Sequence, residues 1–298
     1  MSERPSRRSA IKKIVGGAAI VGAGGAGATL LLSNKHPHKM NKLQLKGSIN
    51  HSVCRWCYSD INLDDLCEAV KQIGFSAIDL CIPKDWPTLQ KHGIYSSMCN
   101  GAQISLTEGW NHTEYHAFLI DSFMKFMPMM TTAGYKNVIC FSGNRAGMDD
   151  ETGLKNCVTG LKQIIGEAEK RGITVHMELL NSKINHKDQM CDNSKWGIEL
   201  VKRIGSDHFK LLYDIYHMQI DEGDVIRTIT DNHQYFGHYH TGGVPGRAEI
   251  DDTQELFYPA IMRAIVATGY KGFVAQEFIP AKADKLESLE QGVKICDI

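Results

Sequence analysis

Lys170-Arg-Gly-Ile-Thr174-Val-His-Met-Glu178 carries three signals in nine residues. A basic helix end meets Gly172, a residue suited to the left-handed position that closes a helix. Ile173 then leads into a short apolar run of the kind that forms a buried strand. The run closes on a carboxylate, Glu178. The first two signals recur in Lys71-Gln-Ile-Gly-Phe75, Thr132-Ala-Gly-Tyr135 and Ala267-Thr-Gly-Tyr270. Each is a helix end, a glycine and a hydrophobic residue that starts a strand.

Outward from these corners the chain alternates. Strands are expected at Leu45–Ile49, Ala77–Cys81, Ile94–Met98, Asn137–Phe141, Thr174–Glu178, Phe209–Tyr213, Phe236–His240 and Phe273–Gln276. Helical patterns lie between them at Leu63–Ile73, Glu114–Ala133, Glu151–Arg171, Trp196–Ile204, Asp224–Thr230 and Pro259–Thr268. Asn62 is placed to cap the first of these. Pro128 is expected to kink the second. Strands that alternate with helices make a parallel sheet. Eight such units in about 250 residues fit a closed α/β barrel, a (β/α)8 TIM barrel in one domain. An open doubly wound sheet would carry a glycine-rich dinucleotide loop. The glycine cluster of this chain falls instead at Gly16–Gly27, outside the alternating region.

That N-terminal segment reads as an address. Ser6-Arg7-Arg8 and Lys12 precede an uncharged run from Ile14 to Leu32, the pattern of a signal peptide. The paired arginines point to twin-arginine export. Ala10 stands where an aromatic residue is usual, and Ala26-Gly27-Ala28 offers a cleavage site. The expected organisation is a signal segment at 1–34, a linker at 35–42 and the barrel at 43–298, with a periplasmic product. Membrane contact would then be transient, through the signal segment, or lasting if the segment stays as an anchor.

Residues 1–35 hold six basic residues and one acid, which leaves the remainder at 27 basic and 33 acidic, a net of −6. An acidic body argues against nucleic-acid binding, which needs a positive field. Nine scattered cysteines do not form the framework of a small secreted domain. Cys54 and Cys57 have C-x-x-C spacing but no second pair, so they read as two thiols in a loop.

In a barrel, chemistry sits where strands end. The last four strands end in Glu178, Asp214, His240 and Glu277. Three carboxylates brought together repel one another, and a cation removes that cost. Three oxygens and one imidazole suit a single divalent ion, Mn²⁺ or Mg²⁺ with Co²⁺ as a further candidate.

Glu178-Leu-Leu-Asn181, Tyr213-Asp-Ile-Tyr-His-Met-Gln219, His238-Tyr-His-Thr-Gly-Gly-Val-Pro-Gly-Arg247 and Gln276-Glu277 resemble the hydroxypyruvate isomerase family, one of the xylose-isomerase-like barrels. The resemblance runs over roughly residues 43–280. It implies a metal at the four positions named, with Glu178 and Glu277 as the catalytic base and acid. It also implies substrate contacts from His217 and Arg247. The substrate would be a small sugar or keto acid, and the reaction an isomerisation or epimerisation through an enediolate. A homo-oligomer is compatible with this reading. His240 matches the ketose 3-epimerases, whereas many hydroxypyruvate isomerases have Gln there. Leu179 replaces a common Pro, and the segment after Arg247 is short. Two other classes compete. An abasic-site endonuclease would need more histidines and a positive face. An exported sugar-binding barrel would keep the metal without turnover. Trp56 and Trp110 are candidate pocket walls, and His176 reads as a core histidine.

Overall fold

In the computed structural model, which describes residues 43–298, strand and helix alternate from Asn50 to Cys296. The expected signal segment and linker lie outside the described residues. The elements are β1 (Asn50–Val53), α1 (Leu63–Ile73), β2 (Ala77–Ile78), α2 (Trp86–His92), β3 (Tyr95–Ser96), α3 (His116–Ala133), β4 (Asn137–Cys140) and α4 (Asp150–Arg171). They continue with β5 (Thr174–Glu178), α5 (Ser194–Ile204), β6 (Phe209–Asp214), α6 (Ile215–Asp221), α7 (Val225–Asn232), β7 (Phe236–Thr241), α8 (Tyr258–Ala267), β8 (Phe273–Gln276) and α9 (Lys285–Cys296). Among the described residues no helix is long and apolar enough to cross a membrane.

Six strands form one parallel sheet in the order β1-β8-β7-β6-β5-β4, and β2 pairs with β3. Parallel bridges Cys54–Asp79, Cys81–Cys99 and Cys99–Val138 carry the ring through β2 and β3. The result is the expected eight-stranded barrel. The helix ends behave as expected as well. Gly172 and Gly205 take left-handed conformations at φ +63° and +73° after α4 and α5. Asn62 accepts the Asp64 amide at 2.9 Å and caps α1.

Two differences have physical reasons. The expected first strand, Leu45–Ile49, forms instead at Asn50–Val53. Leu43 and Leu45 pack on the core, Gly47 turns at φ +81°, and the Lys46 amide bonds Asp297 Oδ2 at 2.9 Å. The apolar run therefore serves as packing ahead of the strand. α2, α6 and α9 were not expected, because two of them have only seven residues and show too little period. α3 continues through Pro128 as one helix.

The loop before α3 is pressed against the end of β4. The Trp110 amide donates to the Phe141 carbonyl at 3.3 Å, and the Asn111 amide to the Ser142 carbonyl at 2.8 Å. A Cβ on Gly109 would stand 2.4 Å from the Gly143 nitrogen and 2.5 Å from the Phe141 oxygen. Backbone cannot yield as a flexible side chain does. Gly109→Ala is expected to destabilise the fold by about 1–3 kcal/mol. Gly166→Ala, on the exposed face of α4 with nothing within 4 Å, should stabilise it by up to about 1 kcal/mol. Urea unfolding midpoints of the two variants check the pair.

Candidate metal centre

Glu178 ends β5, Asp214 ends β6, His240 is the penultimate residue of β7, and Glu277 follows β8. Register brings them level. Asp214 lies opposite His240, and the Glu277 amide donates to the Thr241 carbonyl at 2.9 Å. One ligand atom from each of the four lies within 4.8 Å of the others, and all four residues are buried. His240 Nδ1 stands 2.7 Å from Glu277 Oε2 and 3.3 Å from Glu178 Oε1. The two residues expected to meet substrate are also here. Arg247 Nη2 is 2.5 Å from Glu277 Oε2 and 3.3 Å from Asp214 Oδ2. His217 Nε2 is 3.6 Å from Asp214 Oδ2.

Burial pushes the Asp214 carboxyl up to about 8; Arg247 opposes this, and the neighbouring Glu277 and Glu178 add to it. Burial also raises Glu178. Burial works on Glu277 in the same sense, but Arg247 and His240 outweigh it and hold that carboxyl well below the usual range. Burial disfavours a charged His240, while Cys54, Glu277 and Asp79 around it more than compensate.

This donor set fits a divalent cation. Glu178 Oε1 is buried without a hydrogen-bond partner, although buried polar atoms are nearly always paired. Three carboxylate oxygens and one imidazole nitrogen, facing one another over a few ångströms, make a mixed set that suits first-row divalent ions. The residues that would hold the ion are Glu178, Asp214, His240 and Glu277.

His217 lies in the first turn of α6, where its amide donates to Asp214 Oδ1 at 3.1 Å. Its ring is fixed by Asn181. The Asn181 carbonyl oxygen accepts the Ile184 and Asn185 amides, so its amide nitrogen must face His217 Nδ1, at 2.5 Å. His217 Nδ1 is therefore an acceptor and the ring proton sits on Nε2, which has no partner. Burial, with Arg247 nearby, keeps this ring neutral. Arg247 has φ +57° and lies against the rings of Trp56 and Tyr216 at 5.2 and 5.4 Å. Its carbonyl accepts the Ile279 amide at 2.6 Å, tying the loops after β7 and β8 together.

A cavity of about 390 Å³ opens above the cluster. Glu178, Glu277 and Arg247 line its polar side, and Leu80, Phe141 and Leu180 its apolar side. Trp56 joins this wall and also donates from Nε1 to Glu277 Oε1 at 2.7 Å, a contact that its sequence position does not reveal. Trp110 does not reach the cavity. It is buried against His116 and Phe123. His176 bonds Asn137 Oδ1 at 3.1 Å inside the barrel, as a core histidine should. Cys54 and Cys57 are buried free thiols, and burial pushes both well above the usual thiol range.

Sequence reading missed Asp79. Its carboxylate meets His238 Nε2 at 2.9 Å, His240 Nε2 at 3.1 Å and Ser97 Oγ at 2.5 Å. Burial raises such a carboxyl, but His238 and His240 outweigh that and hold it well below the usual range. An acid inside the apolar stretch Ala77–Cys81 was the signal available.

A family model described as xylose isomerase-like TIM barrel matches residues 67–295. The hydroxypyruvate isomerase of Escherichia coli K12 is 26% identical over 227 residues, covering 72% of this chain and 86% of that one. The 2-oxo-tetronate isomerase of Cupriavidus necator is 32% identical over 119 residues, 38% of this chain and 43% of that one. The chain spans about half the length of several such curated relatives. The solved structure of AP endonuclease, family 2 from Brucella melitensis superposes with a TM-score of 0.72 at 20% identity, covering 82% of this chain and 97% of that one, which shows the fold alone. With the model matching well over half of its residues, the chain belongs to the xylose isomerase-like TIM barrel family.

Proposed function

We propose that the protein is a divalent-metal-dependent isomerase or epimerase of a small ketose or hydroxy-keto acid. One observation carries the reading. Two glutamates, Glu178 and Glu277, belong to a buried four-residue cluster able to hold a cation, at the foot of a cavity sized for a small molecule. The relatives named above act, by their names, on compounds with a carbonyl beside a hydroxyl, which supports the choice of substrate class. Both reaction types remove a proton from carbon next to a carbonyl. A bound divalent cation supplies stabilisation of the negative charge that this removal puts on the substrate oxygens.

The protein's own groups do the rest. Glu178 and Glu277 come from strands separated by two others, so one can take a proton while the second returns one. His217 Nε2–H is a free donor for a substrate oxygen. Arg247 offers a fork of donors that matches a carboxylate or paired hydroxyls. Leu80, Phe141 and Leu180 keep water from the apolar side of the cavity. Export by the twin-arginine route belongs to the same proposal and is supported by Arg7-Arg8 and the uncharged run after them.

Deuterium exchange at the carbon beside the carbonyl, assayed with hydroxypyruvate and a panel of ketoses, tests the reading. Glu178→Gln and Glu277→Gln should each lower exchange by about 10²–10⁴-fold. Metal bound without exchange on any substrate would turn the reading towards a binding protein.

Metal binding should also be linked to pH. Asp214 and His240 are both held above their unfolded values. Their contribution to stability is present below those unfolded values and is lost as pH rises, for Asp214 between about 4 and 8. A cation replaces those protons. The rise in melting temperature on adding Mn²⁺ should therefore be larger at pH 8 than at pH 5.5, by thermal shift at fixed metal concentration. Equal rises would contradict the arrangement.

Fractionation checks the address. The protein should reach the periplasm, and replacing both Arg7 and Arg8 by Lys should retain it in the cytoplasm.

A further inference from the structure

The carboxylate of Asp79 stands on the far side of the His240 ring from the candidate metal ligands. It follows β2 and is fully buried, and its backbone is pinned on both sides. The Asp79 amide donates to the Val53 carbonyl at 2.8 Å, and the Arg55 amide to the Asp79 carbonyl at 3.0 Å. Ser97 Oγ donates to Oδ2 at 2.5 Å and Cys54 Sγ to Oδ1 at 3.7 Å. An ionised carboxylate can only accept. His240 Nε2, 3.1 Å from Oδ1, must therefore be a donor and carry the ring proton.

The opposite nitrogen, Nδ1, faces Glu178 Oε1 at 3.3 Å and Glu277 Oε2 at 2.7 Å. The ionised Glu277 carboxylate can only accept, so Nδ1 donates to it; a cation bound here would take that proton's place and leave the one on Nε2. Backbone and neighbours hold the ring in this pose. β7 carries one extra residue at Gly237, where the register against β6 shifts and Leu212 pairs with His238. A Cβ on Gly237 would come within 2.6 Å of His176 Cε1. After this bulge the strand is regular, so His238 and His240, two residues apart, share one face with rings 5.3 Å apart, and both meet Asp79.

Resting on the metal-centre reading above, we infer that Asp79 is a positioning residue for the metal centre: it fixes the His240 tautomer so that Nδ1 is the nitrogen offered to the cation. Asp79 does not line the cavity and is not one of the four candidate ligands, and its direct contact with that set is the one to His240. Partners of this kind typically change metal affinity by about 10- to 100-fold.

Two measurements on the full chain test this. The first needs no variant. With the histidines labelled with nitrogen-15 and Mg²⁺ bound, the His240 ring, assigned by its absence in His240→Gln, should show its proton on Nε2. A proton on Nδ1 overturns the inference. The second is calorimetric titration with Mn²⁺ alone. Asp79→Asn should weaken binding by about 10- to 100-fold. In a His240→Gln background, which has no tautomer to fix, the same change should matter by less than about twofold. Equal losses in both backgrounds, or wild-type affinity in Asp79→Asn, overturn the inference while leaving the proposed function standing. Two Mn²⁺ per wild-type chain, one of them lost in Asp79→Asn, would make Asp79 a ligand and also overturn it. A wild-type chain that binds no Mn²⁺ sinks both readings.

Discussion

Three carboxylates share one buried space at the mouth of this barrel, and their mutual repulsion is the constraint around which the rest is arranged. Removing charge from water is costly unless an opposite charge or proton accompanies it. The chain's own groups meet part of that cost. Arg247 bonds Glu277 and Asp214, His240 bonds Glu277, and Asp214 is held up to about 8 by burial against its neighbours. Glu178 keeps one buried oxygen unpaired even so. These features describe a site that is incomplete as charge rather than as shape.

The supporting structure is built to hold that crowding in place. His240 is gripped by Asp79, His217 by Asn181 and Asp214, and Glu277 by Trp56. Each grip fixes a side chain's orientation, and that of Asn181 also fixes which nitrogen of His217 carries its proton. Loops outside the ring are tied in the same manner. Glu249 accepts the Ala281 and Lys282 amides and the Ser288 hydroxyl, which ties the segment after Arg247 to the segment after Glu277. Preorganisation of this kind keeps reacting groups where charge develops, rather than letting them reorganise at each turnover.

Much of this was legible in the sequence because the barrel repeats its grammar. Gly172 closing a helix, then Thr174–Glu178 as a strand ending in charge, announces both the fold and the place of its chemistry. Four consecutive strands with charged tips identified Glu178, Asp214, His240 and Glu277. The seven-residue α6 that carries His217 was not legible, since so short a helix has too little period to read. Asp79 escaped for a different reason. Its partners His238 and His240 lie some 160 residues away, with His240 at a separation of 161, and nothing local marks a pairing across the barrel.

The substrate is the least legible part, and the cavity explains why. Charged groups of the candidate site come from β5 to β8 and the loops after them, where a charge at a strand end stands out against an apolar run. The opposite wall comes largely from the first half of the barrel: Leu80 after β2, Ile104 and Leu106 after β3, and Phe141 after β4. In sequence these residues are indistinguishable from the core residues beside them, because a wall that selects a substrate by shape and dryness uses the same side chains as a core. A pocket that discriminates by apolar contact separates close analogues by only about 1–3 kcal/mol per methylene. One leucine exchanged for another apolar residue on that wall would alter which compound fits while leaving every chemical motif intact. The motifs that resemble a family therefore lie in the charged half of the mouth, and the half that would select a substrate carries no signature.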